Sequence, residues 1–524
     1  MIIQGTSLDG AVRDRADVVV IGTGAGGGTL AGYLSERGWD VVMVDRGGFF
    51  RAEDFSQREE DGMADFNGRR GLDSSDDNAV FLTYAQAVGG CTVHYWGDSF
   101  RTPVDRLEYW RDRHGLDWMT PAELNPHWDH IERQLGIHIA EERLFNENNR
   151  LVRAGCEKLG WHAEAVPTAR IDCIGCGWTQ YGCAYNRKSS QLITTIPEIS
   201  KRGGRIYSDA LVKRIIVENG RARGVEGVFV DRATGRDRRS FRVDADIVVM
   251  AGGAIGSAEL LLRNFPAESS LGRRLYINPH YFVFADFGRE IDNVAGIPCA
   301  YAVQEFRRVR TRDGAIVQPD EVTESNYGSG GYTMLCSHQS PGVTAATFAE
   351  IGIPHAERMK KYRRLGSLMS VIDEQHPGRV YLDDDVRKIA FNVEGTDQLR
   401  AVDYLRNAAR IFLAAGAEEV WIPDMYGTVV RNEADVREKI GRRSVQPNAQ
   451  FCAGSHFTGT APLGADPAQS FAGPTGEAHR ISHLFVADGA AIPTSISEDP
   501  SLTIMGVARW IAAGIAERYG RSGA

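Results

Sequence analysis

The chain has 524 residues, 60 Lys+Arg against 69 Asp+Glu for a formal charge of −9, and 43% hydrophobic and 25% charged residues. That length allows roughly two to four domains around sizeable cores, and the acidic balance offers no basic field for a phosphate backbone, which sets nucleic acid aside as a partner. With 58 glycines the composition fits an α/β enzyme with many tight loops, not a collagen-like, disordered or low-complexity chain.

No internal repeat is visible, and no run of about 18 apolar residues predicts a membrane span. The first residues, MIIQGTSLDGAVRDRAD, lack the apolar stretch of a signal peptide, so the expected compartment is the cytoplasm.

Asp17 to Ile21 is a short β-branched run, after which Gly22, Gly24 and Gly27 supply G-x-G-x-x-G ahead of an apolar helix, Leu30 to Leu34. In this arrangement Gly22 allows the tight turn, Gly24 lets the backbone approach a pyrophosphate, and Gly27 allows close helix–strand packing. The helix N-terminus adds free N–H donors and the positive end of its dipole. Gly38 is placed to end the helix. A second strand, Val41 to Val44, delivers Asp45, 21 residues after Gly24, where a carboxylate meets ribose hydroxyls. The pattern predicts a dinucleotide site and serves NAD or FAD alike.

Further along, VGGCTVHYWGDSFR (88–101) contains Gly89 and Gly90, which let the backbone lie close to a flat ligand. Thr120-Pro121 opens a helix, with Thr120 as N-cap and Glu123 at the capping-box spacing. Cys173, Cys176 and Cys183 crowd one short segment, which in a chain with no export signal suggests metal or redox chemistry before a disulfide framework. DADIVVMAGGAIGSAELLL (244–262) reads as a buried strand, a glycine turn and a helix. Segments of 266–455 alternate like an antiparallel sheet. Within them HPGRVYLDDDVRKIAFNVEG predicts two strands joined by the acidic turn Asp383 to Asp385, and LRAVDYLRNAARIFLAAGAEEV predicts a helix ending at Gly416. No role follows for Arg379, Glu374 or Tyr332.

Near the C-terminus come GSHFTGTAPLG, the strand Leu484 to Ala487 ending in Asp488-Gly489, and SEDPSLTI. Together with the glycine segments, these stretches resemble the glucose-methanol-choline (GMC) oxidoreductases over nearly the whole chain. The resemblance implies FAD in place of NAD. It implies an α/β fold with a discontinuous Rossmann-like FAD-binding domain on a parallel sheet, assembled from 15–60, 200–265 and 470–524. Residues 61–199 would carry the flavin loop, a helical stretch and the cysteine segment, and 266–455 an α+β substrate-binding domain with an antiparallel sheet. The cofactor contacts it implies are Gly22, Gly24, Gly27, Asp45 and Arg46; Gly89, Gly90, Thr92 and His94; Val212, Ala251 and Gly252; and Asp488, Gly489, Pro500, Ser501 and Leu502. His94 stands where pyranose-oxidase-like and choline-oxidase-like members bond a histidine covalently to the flavin. The alternative is a histidine that packs or hydrogen-bonds without a covalent link.

By the same resemblance His456 matches the active-site H-x-x-G-T and would take the hydroxyl proton while hydride leaves for flavin N5, a task that suits a neutral imidazole. The family's second histidine or asparagine before proline is replaced by Asp499. Asp499 could be protonated, orient His456, attract a cationic substrate, or simply cap the following helix. The cysteine segment is similar to one in sugar- and alcohol-oxidising bacterial members with C-x2-C-x2-C-x3-C spacing, but Thr179 replaces the third cysteine. An iron–sulfur cluster or a zinc site would be short of a ligand, which leaves a degenerate loop with free thiols or a local disulfide as the expectation. The function implied is oxidation of a CH–OH group of a sugar, glycoside, amino sugar or other polyol, with oxygen, a quinone or a protein as electron acceptor. A hydroxynitrile-type lyase and an electron-transfer flavoprotein are the competing readings.

Overall fold

The computed structural model describes residues 1–338 and 340–520. Its first sheet grows around the two β-branched runs flagged by the sequence. Strands Ile2–Gln4, Arg205–Ser208, Val41–Val44, Val12–Ile21 and Asp237–Met250 lie side by side in that order, all parallel. Val18, Val19, Val20, Val41 and Val42 are fully buried, as expected for strands covered on both faces. Asp237–Met250 is long enough to serve two partners on its far edge. Its first half pairs antiparallel with Arg221–Val230, and its end pairs parallel with Leu484–Val486, so the C-terminal segment returns to the sheet beside the central strands. Helix Ala25–Ser35 follows the glycine turn and packs against the C-terminal helix Ser501–Tyr519. The first helix ends slightly ahead of Gly38, which instead makes the turn into the next strand with φ of +77°.

The second sheet has seven antiparallel strands in the order Val429–Val430, Glu419–Trp421, Phe282–Asp286, Leu365–Ile372, Tyr332–Cys336, Tyr301–Val303 and Ala163–Ala165. The amphipathic helices Glu147–Leu159 and Gly395–Ala415 pack on it, and the latter stops at left-handed Gly416 as its sequence predicts. The acidic turn is a two-residue hairpin: Asp383 pairs with Val386, while Asp384 and Asp385 take φ of 44° and 64°. This hairpin, Arg379–Asp383 with Val386–Ala390, forms its own ribbon against helix Ala254–Asn264 and stands outside the seven-stranded sheet. Thr120 caps helix Pro121–Leu135 by accepting the Glu123 N–H. No helix among the described residues is long and apolar enough to cross a membrane.

Candidate active site

A cavity of about 1190 Å3 is lined from the first sheet by Ile21, Val44 and Met250 and from the second by Phe282, Leu335 and Met369. Residues 22–26, 45–46, 90–92, 94–96, 210–213, 250–256, 455–457, 488–489 and 499–501 are also part of its wall. Of the expected cofactor contacts, Gly27, Gly89 and Leu502 stand behind this lining, and the others face it.

The glycine end has the shape of a dinucleotide cradle. Gly22 has φ of +102°, and a Cβ there would sit 2.1 Å from the Ala251 carbonyl oxygen; one on Gly27 would sit 2.2 Å from the Gly22 carbonyl oxygen. The first requirement holds the turn open beside the 251–253 loop, and the second seats the helix on its strand. A Cβ on Gly90 would approach the Gly24 Cα to 2.6 Å, so the two glycine loops touch only because both lack side chains. Thr23, which carried no sequence signal, joins them: the Gly89 N–H donates to its hydroxyl at 2.8 Å, and that hydroxyl donates to Asp45 at 2.6 Å. The Asp45 carboxylate also accepts from the N–H groups of Thr23 and Gly47. Burial pushes the Asp45 carboxyl up, against these bonds. Asp488 binds the second glycine turn to the C-terminal segment, accepting from the Gly253 N–H, the Ser257 hydroxyl and the Ala490 N–H, and burial pushes it up to about 6. Glycine cradle, open helix N-terminus and adjacent carboxylate fit FAD.

His94 is buried and meets Tyr181 edge-on. Its ring hydrogen-bonds the Gln180 backbone, its Nδ1 is shielded without a partner, and burial pushes its pKa down to about 3. Behind the loop, Lys188 donates to the carbonyls of Val93, Tyr95 and Thr179 at 2.6–2.7 Å. Burial holds that ammonium well below its usual range, while the Val93 and Tyr95 carbonyls fix the backbone on either side of His94 and the Thr179 carbonyl ties it to the cysteine segment. All eight cysteines are free thiols, so no local disulfide forms. Thr179, at the missing cysteine position, instead takes Lys188 on its carbonyl and Arg170 on its hydroxyl. Among the described residues no group of three or more metal-ligating side chains converges.

At the other end His456 and Asp499 come together, with Nε2 2.9 Å from Oδ1. The angle is not that of a hydrogen bond: Asp499 Oδ1 has no hydrogen-bond partner, nor has His456 Nδ1. The helix cap is Pro500, without a side-chain hydrogen bond, so Asp499 is not the capping residue. Two further groups at this end escaped the sequence reading. His280 packs edge-on against His456 with ring centroids 4.9 Å apart; its Nδ1 donates to the Ser370 carbonyl and its Nε2 accepts from the Ser455 hydroxyl. Burial and the neighbouring His456 push His280 down to about 3, leaving it neutral. Asp98, from the His94 loop, is buried beside Asp499. Neither stands in a spacing that sequence alone flags. The wall near these groups is apolar: Phe81 stacks on Phe451 at 5.0 Å, and Phe282, Leu335, Met369 and Trp96 extend the same surface.

A cradle for a flavin dinucleotide facing a histidine–carboxylate pair defines a flavoprotein oxidoreductase acting on CH–OH donors, and the sequence model of the GMC oxidoreductases matches residues 1–280 and 374–508. The chain belongs to that family, and its cofactor is FAD. A long-chain-alcohol oxidase of Arabidopsis thaliana is 25% identical over 531 residues, 97% of this chain and 68% of that one. In fold, a variant of Aspergillus oryzae formate oxidase superposes with a TM-score of 0.71 at 15% identity, covering 97% of this chain and 99% of that one. Pyridoxine 4-oxidase from Mesorbium loti gives 0.70 at 17% identity, over 96% and 99%.

Proposed function

We propose that this chain oxidises an apolar primary or secondary alcohol to its carbonyl compound, with His456 as the base and Asp499 as its counter-charge. The observation that carries the substrate class is the wall of Phe81, Phe282, Leu335, Met369 and Phe451. A sugar or polyol, the class expected from the loop resemblances, needs several convergent hydrogen-bonding groups, without which its hydroxyls are buried unpaired. Around His456 the polar groups are Asp499, Asp98 and His280, and both nitrogens of His280 are already bonded within the protein. One hydroxyl on an apolar body matches that wall. The long-chain-alcohol oxidase among the relatives has a name consistent with the same chemistry.

Bound FAD supplies the hydride acceptor. His456 receives the hydroxyl proton, and Asp499, 2.9 Å away, stabilises the imidazolium that forms. The charge that would repel an alkoxide thereby works on the proton instead, provided the proton reaches His456 as the C–H bond breaks. Neutral His280 closes one side of the imidazole without competing for the proton. His94 is read as a noncovalent neighbour of the cofactor, since its Nδ1 is shielded and its ring hydrogen-bonds the Gln180 backbone.

Anaerobic mixing with a panel of alcohols tests this. Long-chain aliphatic and aromatic primary alcohols should bleach the flavin at least tenfold more efficiently than glucose, glycosides or amino sugars. Equal efficiency with sugars would overturn the substrate class, and bleaching by no alcohol would favour the lyase or electron-transfer readings.

A further inference from the structure

We propose that Asp98 is a positioning residue of the alcohol site, carrying the shared proton of a buried carboxyl pair with Asp499 and so holding Asp499 as the charged partner of His456. The proposal rests on the roles of His456 as base and Asp499 as counter-charge. Asp98 sits four residues after His94, on the loop that covers the cofactor, and its backbone carbonyl accepts the Ser501 hydroxyl at 3.4 Å. The first turn of the C-terminal helix, which Asp499 directly precedes, is thereby tied to the loop. Both aspartates line the cavity, and both residues are nearly closed to solvent, Asp98 3% and Asp499 8% exposed as whole residues.

The Oδ1 atoms of Asp98 and Asp499 find no hydrogen-bond donor when both groups are carboxylates. Yet the two side chains lie within hydrogen-bonding reach of each other. Ionised carboxylates only accept, so a bond between them exists only if one keeps a proton. Two like charges in one buried site also disfavour double ionisation strongly, and a single shared proton is the usual outcome.

The surroundings place that proton on Asp98. Burial and the Asp499 charge push Asp98 well above the carboxylate range, opposed by Arg170 and by a hydrogen bond from the Cys299 thiol. The other titratable groups facing Asp98 are Lys188, Tyr95, Cys299 and Cys336. Lys188 spends its ammonium on three backbone carbonyls, and burial raises the tyrosine and both thiols, which keeps them neutral. Asp499, by contrast, faces His456, where a negative charge is used when the imidazolium forms. Asp98 then donates to the Asp499 carboxylate, whose Oδ1 stands 2.9 Å from His456 Nε2.

The test combines a vibrational measurement on the holoenzyme with kinetics of two variants. The infrared difference spectrum of wild type minus D98N at neutral pH should show the carbonyl stretch of a protonated carboxylic acid; other protonated carboxyls cancel in the difference. An amide still donates to Asp499, so D98N should keep kcat within about fivefold of wild type. D98A, with no donor, should lose about ten- to a hundredfold in kcat with KM nearly unchanged. Absence of the acid band, or equal losses in D98N and D98A, overturns the proposal. The infrared readout needs no substrate, so it decides about Asp98 even if the assignment of His456 as base fails.

Discussion

Replacing Asp499 by asparagine keeps the volume and one accepting oxygen, removes the charge and puts an NH2 donor in place of the other oxygen. In the proposed reaction that charge acts once His456 has taken the proton. At 2.9 Å, opposite unit charges attract by about 6 kcal/mol at an effective dielectric near 20 and by about 1.4 kcal/mol in bulk water. The side chains of His456 and Asp499 retain 15% and 11% of their exposure, which places the pair between these limits, and the asparagine dipole returns part of the loss. About 3 kcal/mol is a reasonable middle value, or roughly two orders of magnitude in rate. The rate of anaerobic flavin bleaching by an alcohol measures it directly, because no electron acceptor enters that step. D499N should slow bleaching about a hundredfold while the concentration dependence changes little, since the lost attraction belongs to the transition state and not to the bound alcohol. A bleaching rate within threefold of wild type would refute the role of the charge. A weakened alcohol affinity at an unchanged limiting rate would instead make Asp499 a substrate-binding group.

Acid precipitation of the holoenzyme should release all of its flavin to the supernatant, because His94 is shielded at Nδ1 and its ring bonds the Gln180 backbone; a fluorescent protein band on a denaturing gel would contradict this. Glu374 gives a stability test. Burial pushes it up to about 8, although it accepts from the Ile277 and Asn278 N–H groups and the Ser495 hydroxyl. An unfolded glutamate titrates near about 4.3, so between that value and about 8 the folded protein keeps a proton that the unfolded chain has released. Stability attributable to this group is therefore present at low pH and lost as pH rises through that window, by on the order of 4 to 5 kcal/mol in all. E374Q removes the titration, so its melting temperature should fall less than that of wild type between pH 5 and pH 9; parallel curves would refute the assignment.

The parts of the molecule legible in sequence are those whose chemistry repeats at fixed local spacing. Gly22, Gly24, Gly27 and Asp45 lie within one strand–helix–strand unit, and the structure shows backbone contacts at Gly22 and Gly27 too close for a side chain. The helix ending at Gly416 and the hairpin at Asp384-Asp385 obey equally local rules. Ala163–Ala165 is three residues long, too short for any alternation to show, and only packing against Tyr301–Val303 makes it a strand. The end that holds His456 and Asp499 is half legible. His456 and Asp499 follow from motifs, whereas Asp98 and His280 reach them only through tertiary packing. The apolar wall likewise collects Phe81, Phe282, Leu335, Met369 and Phe451 from widely separated segments, so no single stretch reads as an alcohol pocket.

The substitution at Asp499 becomes intelligible once its neighbours are counted. Where the family carries histidine or asparagine, a donor stands ready for the substrate oxygen, and a lone carboxylate would remove that donor and add an adverse charge. Two groups from outside the motif change the balance. Asp98 provides a proton on the buried side of the carboxylate, which an asparagine in the same place would not need. His280, fixed by Ser370 and Ser455 and held neutral by burial, adds no second positive charge beside His456. The only cation required to form at this end is then the protonated His456, with its counter-charge already in place at 2.9 Å. A carboxylate at 499 therefore makes chemical sense together with an acid at 98 and a spent histidine at 280, and the three are best tested as a set.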